Sequence, residues 1–438
     1  MKTQALCPVC LKTVPAKKVR RGPDVFLERV CPQHGVVSTR IAKDANRFFD
    51  KTYAPVPQGF TPTAAFHGEC GRDCGWCEAH RQHICTGLVE ITERCNLACP
   101  ICYFGAKARA DLTPDEVEAR IRTLLTVENG KLDILQLSGG ECTLHPQLFE
   151  IIDRALALPV TRLVLNTNGL ALLSDAALFE KVRAHRDRME IYLQFDGFDP
   201  DIYRLLRGRD LLAEKLALIE KLSAAEIKTT LAVTVCAENL KEIPAILRLS
   251  VDTRHISGVT FQRLTKVGCA HGTSVPSVFQ EDILAAIERS GLTRYQDLIP
   301  LPCSHENCTT LGFLFCVGEQ VYSLGEYLDY TRVKPAISNR LAFDQTVLKY
   351  LREHLCDCFT DKLMARAGGL SPEKLNTFTH GNASAYADMK IVRIIVKNFM
   401  DAETFDFERA RQCCTGVAVG GGKVVPFCVH NTLKGVFS

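Results

Sequence analysis

Between residues 87 and 265 the chain alternates two kinds of hydrophobic pattern. Short apolar runs bounded by turn residues read as strands: "GLVEIT", "DILQLS", "RLVLNT", "EIYLQFD", "KTTLAVTV" and "GVTFQRL". Between them lie segments with helical spacing of apolar residues, such as "TPDEVEARIRTLLTV" and "DLLAEKLALIEKLSAA". Thr113 is placed as a helix N-cap, with Glu116 three residues on to complete a capping box. Six β-then-α units in succession predict a parallel sheet with right-handed crossovers, either an open barrel or a doubly wound sheet. In either arrangement the chemistry gathers at the C-terminal ends of the strands.

The flanks are patterned differently. Residues 1–60 hold short strand-like pieces such as "DVFLERV", and residues 61–86 follow a Pro-rich passage, "YAPVPQGFTPTA", that reads as a linker. Residues 266–438 mix helical stretches ("SVFQEDILAAIERS", "FDQTVLKYLREHL") with a late strand, "KIVRIIVKNF". Four zones are therefore expected: 1–60, 61–86, 87–265 and 266–438.

Composition adds class and compartment. A chain of 438 residues, 46% hydrophobic and 24% charged, has the make-up of a soluble globular protein with a full-sized core. Its formal charge of +3 gives no sign of a dedicated nucleic-acid binder, and the basic run "AKKVRRG" reads as a solvated loop. No apolar run approaches the roughly 20 residues that span a bilayer. The start, "MKTQALCPVC", lacks the apolar core of a signal peptide, so a cytoplasmic location is expected.

Cysteine changes the picture, because there are 21. In a reducing compartment, short-spaced groups of thiols read as metal or cluster ligands rather than disulfides. Cys95, Cys99 and Cys102 form C-x3-C-x2-C directly after the first strand of the sheet, and so lie on the loop at its C-terminal end. Three thiolates there can hold three irons of a [4Fe–4S] cluster. No fourth cysteine follows closely, which leaves one iron open, and Tyr103 stands ready to flank a bound cofactor. Cys70, Cys74 and Cys77 repeat the spacing, but Cys85 follows as a fourth thiol and no strand precedes them. That set reads as a closed auxiliary [4Fe–4S] cluster, with structural zinc as the alternative. "CPVC" and "CPQHG" supply Cys7, Cys10, Cys31 and His34 for a rubredoxin-like iron or a zinc ribbon in an N-terminal knob. "PCSHENC" offers Cys303, His305 and Cys308, "RQCCTG" offers Cys413 and Cys414, and "VVPFCVHN" offers Cys428 for a further cluster. Spacing leaves open which of the adjacent Cys413 and Cys414 ligates. Cys142, Cys236 and Cys269 are assigned to packing, while Cys316 and the pair Cys356 and Cys358 stay open between ligand and core.

With the triplet, the strand-end motifs resemble the radical S-adenosylmethionine (radical SAM) superfamily. "LSGGE" ends the second strand with Gly139, Gly140 and Glu141, which by resemblance hold the cofactor's methionyl amino group. "NTNG" ends the third with Asn168, a ribose or carboxylate contact; "LQFDG" ends the fourth with Gln194 and Asp196. Thr234 and Gln262 close the series on the next two strands. The resemblance implies a partial parallel (β/α)6 barrel with a metal-binding N-terminal knob and a cysteine-rich, cluster-binding C-terminal extension. It implies S-adenosyl-L-methionine bound to the Cys95/Cys99/Cys102 cluster, and a 5′-deoxyadenosyl radical that abstracts hydrogen from an unactivated carbon. It further implies one or two auxiliary clusters, one mononuclear iron or zinc, and an external electron donor of flavodoxin or ferredoxin type.

The knob, the second triplet and the tail "CC…G…VPFC" together look like one subgroup. It holds tetraether lipid synthases and 7,8-dihydro-6-hydroxymethylpterin methylases, both of which form C–C bonds. C-methylation of a pterin-like small molecule is favoured here over coupling of lipid alkyl chains, because the chain has no obvious amphipathic membrane helix; contact with a membrane is expected only for a lipid substrate. A peptide-modifying maturase is a further alternative. A non-catalytic Fe–S sensor would have no need of the strand-end motifs.

Overall fold

The computed structural model describes residues 1–55, 57–65, 75–105, 111–326, 334, 338–339 and 389–433. The expected helix "FDQTVLKYLREHL" and the cysteines Cys70, Cys74, Cys356 and Cys358 lie outside the described residues.

The N-terminal knob is a four-stranded antiparallel meander: β1 (Lys2–Leu6), β2 (Thr13–Arg21), β3 (Asp24–Cys31) and β4 (Gly35–Ala42), closed by the short helix α1 (Ala45–Phe49). Alternation in β2 and β3 buries Val14, Ala16, Val25 and Leu27 on one face. So small a sheet has little core of its own, and it leans on the C-terminal segment. Leu6 joins a cluster with Met400, Phe405, Phe407 and Val429. Arg29, fully buried, donates to the carbonyl of Ala402 at 3.2 Å.

The core is a parallel run, β5 (Thr86–Thr92), β6 (Leu132–Gly139), β7 (Val160–Thr167), β8 (Met189–Gln194), β9 (Thr229–Val235) and β10 (Ile256–Arg263), in sequence order. Its connections carry α2 (Pro114–Val127), α3 (Leu148–Ala157), α4 (Leu170–Ser174), α5 (Ala176–Ala184), α6 (Pro200–Arg207), α7 (Leu212–Ala224) and α8 (Ile243–Asp252). The capping box at α2 forms: Glu116 N–H donates to Thr113 Oγ1 at 3.2 Å, and Thr113 N–H donates to the Glu116 carboxylate at 2.7 Å. Odd-numbered strand residues such as Val89, Leu135, Leu165, Ile191, Leu231 and Val259 meet the helices in one large core.

The C-terminal segment is woven into the same sheet. After α9 (Gln280–Glu288) come β11 (Ile299–Pro300), β12 (Thr309–Val317), β13 (Gln320–Ser323), β14 (Met389–Lys397), α10 (Phe407–Ala410), β15 (Thr415–Gly420), β16 (Lys423–Pro426) and α11 (Phe427–Leu433). β14 pairs parallel to β10 and β15 parallel to β5, so both edges of the six-stranded run are extended from the far end of the chain. β12 then adds antiparallel to β14, and β16 to β15. No helix among the described residues is long and apolar enough to cross a membrane.

One buried ion pair joins knob and C-terminal segment. Lys18 Nζ lies 2.7 Å from Asp406 Oδ2, and Thr3 Oγ1 donates to Asp406 Oδ1 at 2.6 Å. Both charged side chains are buried, so Lys18→Met leaves a carboxylate without its cation. Removing one partner of such a pair costs about 3–5 kcal/mol; the lower end is expected here, because the Thr3 hydroxyl still donates. Thermal unfolding reads it as a lowered Tm, and Lys18→Met/Asp406→Leu recovers most of the loss. A single variant with the wild-type Tm would show that the pair does not anchor the knob.

Candidate active site and metal centres

The cysteine triplet sits where β5 ends, on a loop gripped from two sides. Gly140 N–H donates to Thr92 O at 2.8 Å and Glu141 N–H to Arg94 O at 2.7 Å, so the end of β6 is bonded to the start of the loop. A Cβ at Gly139 (φ 137°) would stand 2.2 Å from Thr92 O, and one at Gly140 would stand 2.3 Å from Arg94 O. Glycine is required for this approach of backbone to backbone. On the other side Cys269 N–H donates to Cys102 O at 2.8 Å, and a Cβ at Gly268 would stand 2.4 Å from that oxygen. Within the loop, Cys102 N–H donates to Cys99 O at 3.1 Å and Leu97 N–H to the Cys95 sulfur at 3.4 Å. Cys95 is exposed, and Cys99 and Cys102 are half-buried. Burial pushes the Cys95 thiol up to about 11 and raises Cys99. Neither thiol loses its proton readily until a metal takes its place.

The strand-end residues form one network beneath the loop. Glu141 is buried: its Oε1 accepts from the Thr143 and Thr167 hydroxyls, each at 2.6 Å, and its Oε2 from Asn168 N–H at 2.7 Å. Asn168 Nδ2 donates to Asn96 Oδ1 at 2.7 Å, which ties β7 to the cysteine loop. Asp196 is buried and accepts from Arg207 Nε at 2.7 Å, Arg207 Nη2 at 2.8 Å and Thr234 N–H at 3.1 Å. Arg207 Nη2 also donates to Thr234 Oγ1 at 3.0 Å, and the guanidinium charge lies near enough to Cys99 to act on its thiol. Gln194 donates to Asp196, while its Oε1 is buried with no partner. Gln262 donates to Tyr192 on the inner face, and the Tyr103 ring lies 6.4 Å from that of Phe427, at the start of α11.

Two charged residues of this network escape the sequence reading. Arg207 extends the buried stripe of α6, and Lys215 occupies an apolar-stripe position of α7 with Leu218, Ile219 and Leu222. That intrusion of a lysine was the available signal. Lys215 Nζ donates to Asn168 O, and burial pushes it down to about 7, against the opposing charges of Asp196 and Glu141.

One row across the inner face of the sheet is polar. Alternating with the core residues, Glu90, Ser138, Asn166 and Tyr192 stand on four successive strands. Glu90 is in register with Ser138 and Asn166 with Tyr192, and Asn166 Nδ2 donates to Ser138 Oγ at 3.0 Å.

Two groups of thiols are gathered for metal. In the knob, Cys7, Cys10, Cys31 and His34 bring their ligand atoms within 4.8 Å of one another. Deep in the molecule, Cys85, Cys303 and Cys414 do the same, all buried. From sequence, Cys85 is expected to complete the Cys70, Cys74 and Cys77 set. In the structure its sulfur gathers with those of Cys303 and Cys414, while Cys70 and Cys74 lie outside the described residues. The reason is strand pairing: Cys85 directly precedes β5 and Cys414 directly precedes β15, and the pairing of Thr86 with Thr415 brings them together. His83 Nε2 lies 3.3 Å from the Cys85 sulfur and is oriented by Glu128, 2.8 Å from its Nδ1.

The adjacent Cys413 and Cys414 diverge. Cys413 is raised by burial and by the nearby Cys428, Cys414 and Cys308, while Arg409 Nε donates to the Cys308 sulfur at 3.3 Å. Cys77 is buried, as is the neighbouring Trp76. Cys142, Cys236 and Cys316 are buried, but Cys269 is exposed and does not pack as expected. His305 Nδ1 accepts from Asn307 N–H and joins neither gathered group.

The open cysteine loop, its glycine cradle and the orphaned Gln194 oxygen beside Arg207 fit a cluster that carries a cofactor on its exposed side. Residues 89–250 match the radical SAM superfamily. That stretch is a radical SAM domain. Residues 1–43 of the radical SAM protein match the HMPTM N-terminal zinc ribbon domain, in keeping with the knob's ligand set. A full-length relative is the 7,8-dihydro-6-hydroxymethylpterin dimethyltransferase of Methanocaldococcus jannaschii, 25% identical over 475 residues, covering 99% of this chain and 93% of that protein. The GTP 3′,8-cyclase of Streptomyces coelicolor is 30% identical over 172 residues, covering 37% of this chain and about half (49%) of the cyclase. Among solved structures, Streptococcus suis SuiB bound to S-adenosylmethionine is 14% identical with a TM-score of 0.41, covering 48% of this radical SAM chain and 46% of SuiB.

Proposed function

We propose that this radical SAM enzyme methylates a carbon of a pterin-like small molecule. The polar row Glu90, Ser138, Asn166 and Tyr192 on the inner face of the barrel carries the reading. An alkyl chain laid along that row would strip water from whatever hydrogen-bonding capacity the protein leaves unmet there, at about 2–7 kcal/mol for each group left unpaired. A flat heterocycle rich in N–H and C=O groups would satisfy them instead. The end-to-end similarity to a pterin dimethyltransferase, through both the ribbon and the C-terminal segment, supports the same class of substrate.

When bound, the [4Fe–4S] cluster and S-adenosylmethionine supply one-electron cleavage and hydrogen-atom abstraction, with the electron coming from an external flavodoxin or ferredoxin. The chain's own residues do the rest. Cys95, Cys99 and Cys102 would hold the cluster, the Gly139–Gly140 backbone fixes their loop, and Gln194 Oε1 offers an acceptor to the cofactor. Asp196 and Arg207 lock the strand ends under the loop, and the polar row orients the substrate.

Anaerobic enzyme with reconstituted iron and sulfide, given a reduced 6-hydroxymethylpterin, S-adenosylmethionine, a reductant and a one-carbon donor, tests the proposal. The expected result is pterin-dependent 5′-deoxyadenosine together with a methylated pterin by mass spectrometry. Cleavage indifferent to pterin, with alkyl-chain coupling of added lipid, would overturn it.

A further inference from the structure

The knob carries a charge that the rest of the chain does not. Residues 1–43 hold nine lysines and arginines against two acidic residues, which leaves +7 in a chain whose formal charge is +3. The basic run "AKKVRRG", expected from sequence to be a loop, belongs to β2 and the turn after it, and strand alternation sorts its charges. Lys18 turns inward to Asp406, while Lys17 stands on the outer face, 60% exposed. There it lies in register with Lys2 on β1 and Glu28 on β3. Glu28 is bonded to Lys17 and Arg21, and Asp24 to Arg40, so the face has no uncompensated acid. Lys2 and Lys12 are exposed, and no ion pair among the described residues involves them.

An apolar patch sits at the metal end of the same face. Among the described residues, seven large apolar side chains are more than a third exposed, and four of them are Met1, Val9, Val30 and Val36 of the knob. Phe149, Leu216 and Ile391 stand singly on α3, α7 and β14. Val30 and Val36 are paired across β3 and β4, 55% and 71% exposed. Val9, 66% exposed, lies between Cys7 and Cys10, whose sulfurs gather with that of Cys31, the residue after Val30. An exposed apolar centre in a polar surround marks a surface that meets a partner.

The patch stands over a short route to the cysteine loop. Leu11, next after Cys10, packs against the apolar group of Leu6, Met400, Phe405, Phe407 and Val429, and Cys428 packs against the same group. Phe427, the residue before Cys428, has its ring 6.4 Å from that of Tyr103, which follows Cys102. The helix α11 thus links the base of the knob to the loop of Cys95, Cys99 and Cys102. We infer that the outer face of the knob docks the external electron donor, a small acidic one-electron carrier protein. Opposite charge steers such a carrier onto the face, and the valines give it an apolar footing. One electron leaves the carrier and is taken up by the oxidised cluster, with no bond made or broken. Zinc in the knob has no redox chemistry, so the knob's part is to hold the carrier in place. A second copy of the chain would set two faces of like charge together, and a phosphate backbone gains nothing from an apolar centre. The inference rests on the one-electron chemistry of the radical SAM domain and not on the identity of the substrate.

The test is anaerobic binding of two acidic carriers, reduced flavodoxin and reduced ferredoxin, to the reconstituted full-length protein. The wild type is expected to bind at least one of them, and to lose about tenfold in affinity between about 50 mM and about 300 mM salt. Lys2→Glu/Lys12→Glu is expected to weaken binding by about tenfold, mainly through the association rate. Val36→Ser should weaken it by about threefold, through lost apolar contact. The rate at which the carrier bleaches the iron–sulfur absorbance should fall in step, while reduction by dithionite, which needs no docking, stays within about twofold of wild type. Unchanged Tm and zinc content show that the variants fold. Carbodiimide coupling of the wild type needs no variant, and should join carrier carboxylates to Lys2, Lys12 or Lys17. Wild-type affinity in both variants, or cross-links confined to lysines outside the knob, overturns the docking face. So does a mixed-sequence oligonucleotide that displaces the carrier at equal concentration. A wild type that binds neither carrier overturns the inference as well, and each of these failures leaves the pterin reading in place.

Discussion

Alanine at Cys95, Cys99 or Cys102 is expected to abolish reductive cleavage of S-adenosylmethionine. Each variant should lose about four irons per chain, and formation of 5′-deoxyadenosine should fall by at least about a thousandfold, or about 4 kcal/mol in the barrier. The effect is this large because nothing nearby can substitute. Among the described residues the other gathered thiols sit in the knob and in the buried triad, and the loop is held in place by backbone contacts at Gly140 and Gly268 that leave it no room to shift toward another ligand. Cys269 is exposed, and its N–H bonds to Cys102 O, yet it stands beyond the loop, on the connection after β10. The measurement is anaerobic, with reductant and no substrate, so that it reports the cluster alone. Alanine at Cys303 or Cys414 makes the comparison, since either removes a buried ligand at a separate centre. Residual cleavage above a few per cent of wild type in all three loop variants would remove the triplet from the reaction.

Much of this arrangement was legible from local pattern, because its causes are local. β5 to β10 announce themselves as apolar runs closed by turn residues, and Thr113 with Glu116 caps α2 as their spacing indicates. What stayed hidden depends on long-range pairing. "KIVRIIVKNF" reads as a strand, but nothing within it says that β14 lies beside β10. "TGVAVG" gives no sign that β15 extends the other edge beside β5. That second pairing is also what brings Cys85 beside Cys414, in a triad with Cys303 that its spacing does not suggest. Likewise Cys413 and Cys414 are indistinguishable by spacing, and separate only because adjacent residues at a strand entry face opposite ways. Arg207 and Lys215 were missed for another reason: a charge on a helix reads as a solvated one unless its place in the apolar stripe is counted.

The ion pair of Asp196 and Arg207 carries the second large expected effect, on stability and on the cluster together. Asp196 is 0% and Arg207 12% exposed, and the guanidinium grips the carboxylate with two bonds, at 2.7 and 2.8 Å. Arg207→Met leaves that charge buried with only Thr234 N–H and Gln194 Nε2, among the described residues, still donating to it, which costs about 3–5 kcal/mol and lowers Tm by roughly 3–6 °C for a chain of this size. Arg207→Lys keeps the charge but not the planar fork, and should recover only part of the loss. Merely structural damage would end there, and Arg207→Met/Asp196→Leu, which removes both charges, should restore most of the Tm. The guanidinium charge also acts on Cys99, and positive charge near cluster sulfurs favours the reduced state. The double variant should therefore regain stability yet keep a cluster that is harder to reduce than the wild type, as anaerobic redox titration followed by electron paramagnetic resonance would show. A double variant with both stability and potential restored would reduce Arg207 to a counter-ion for Asp196. One with neither restored would place its role in packing under the loop.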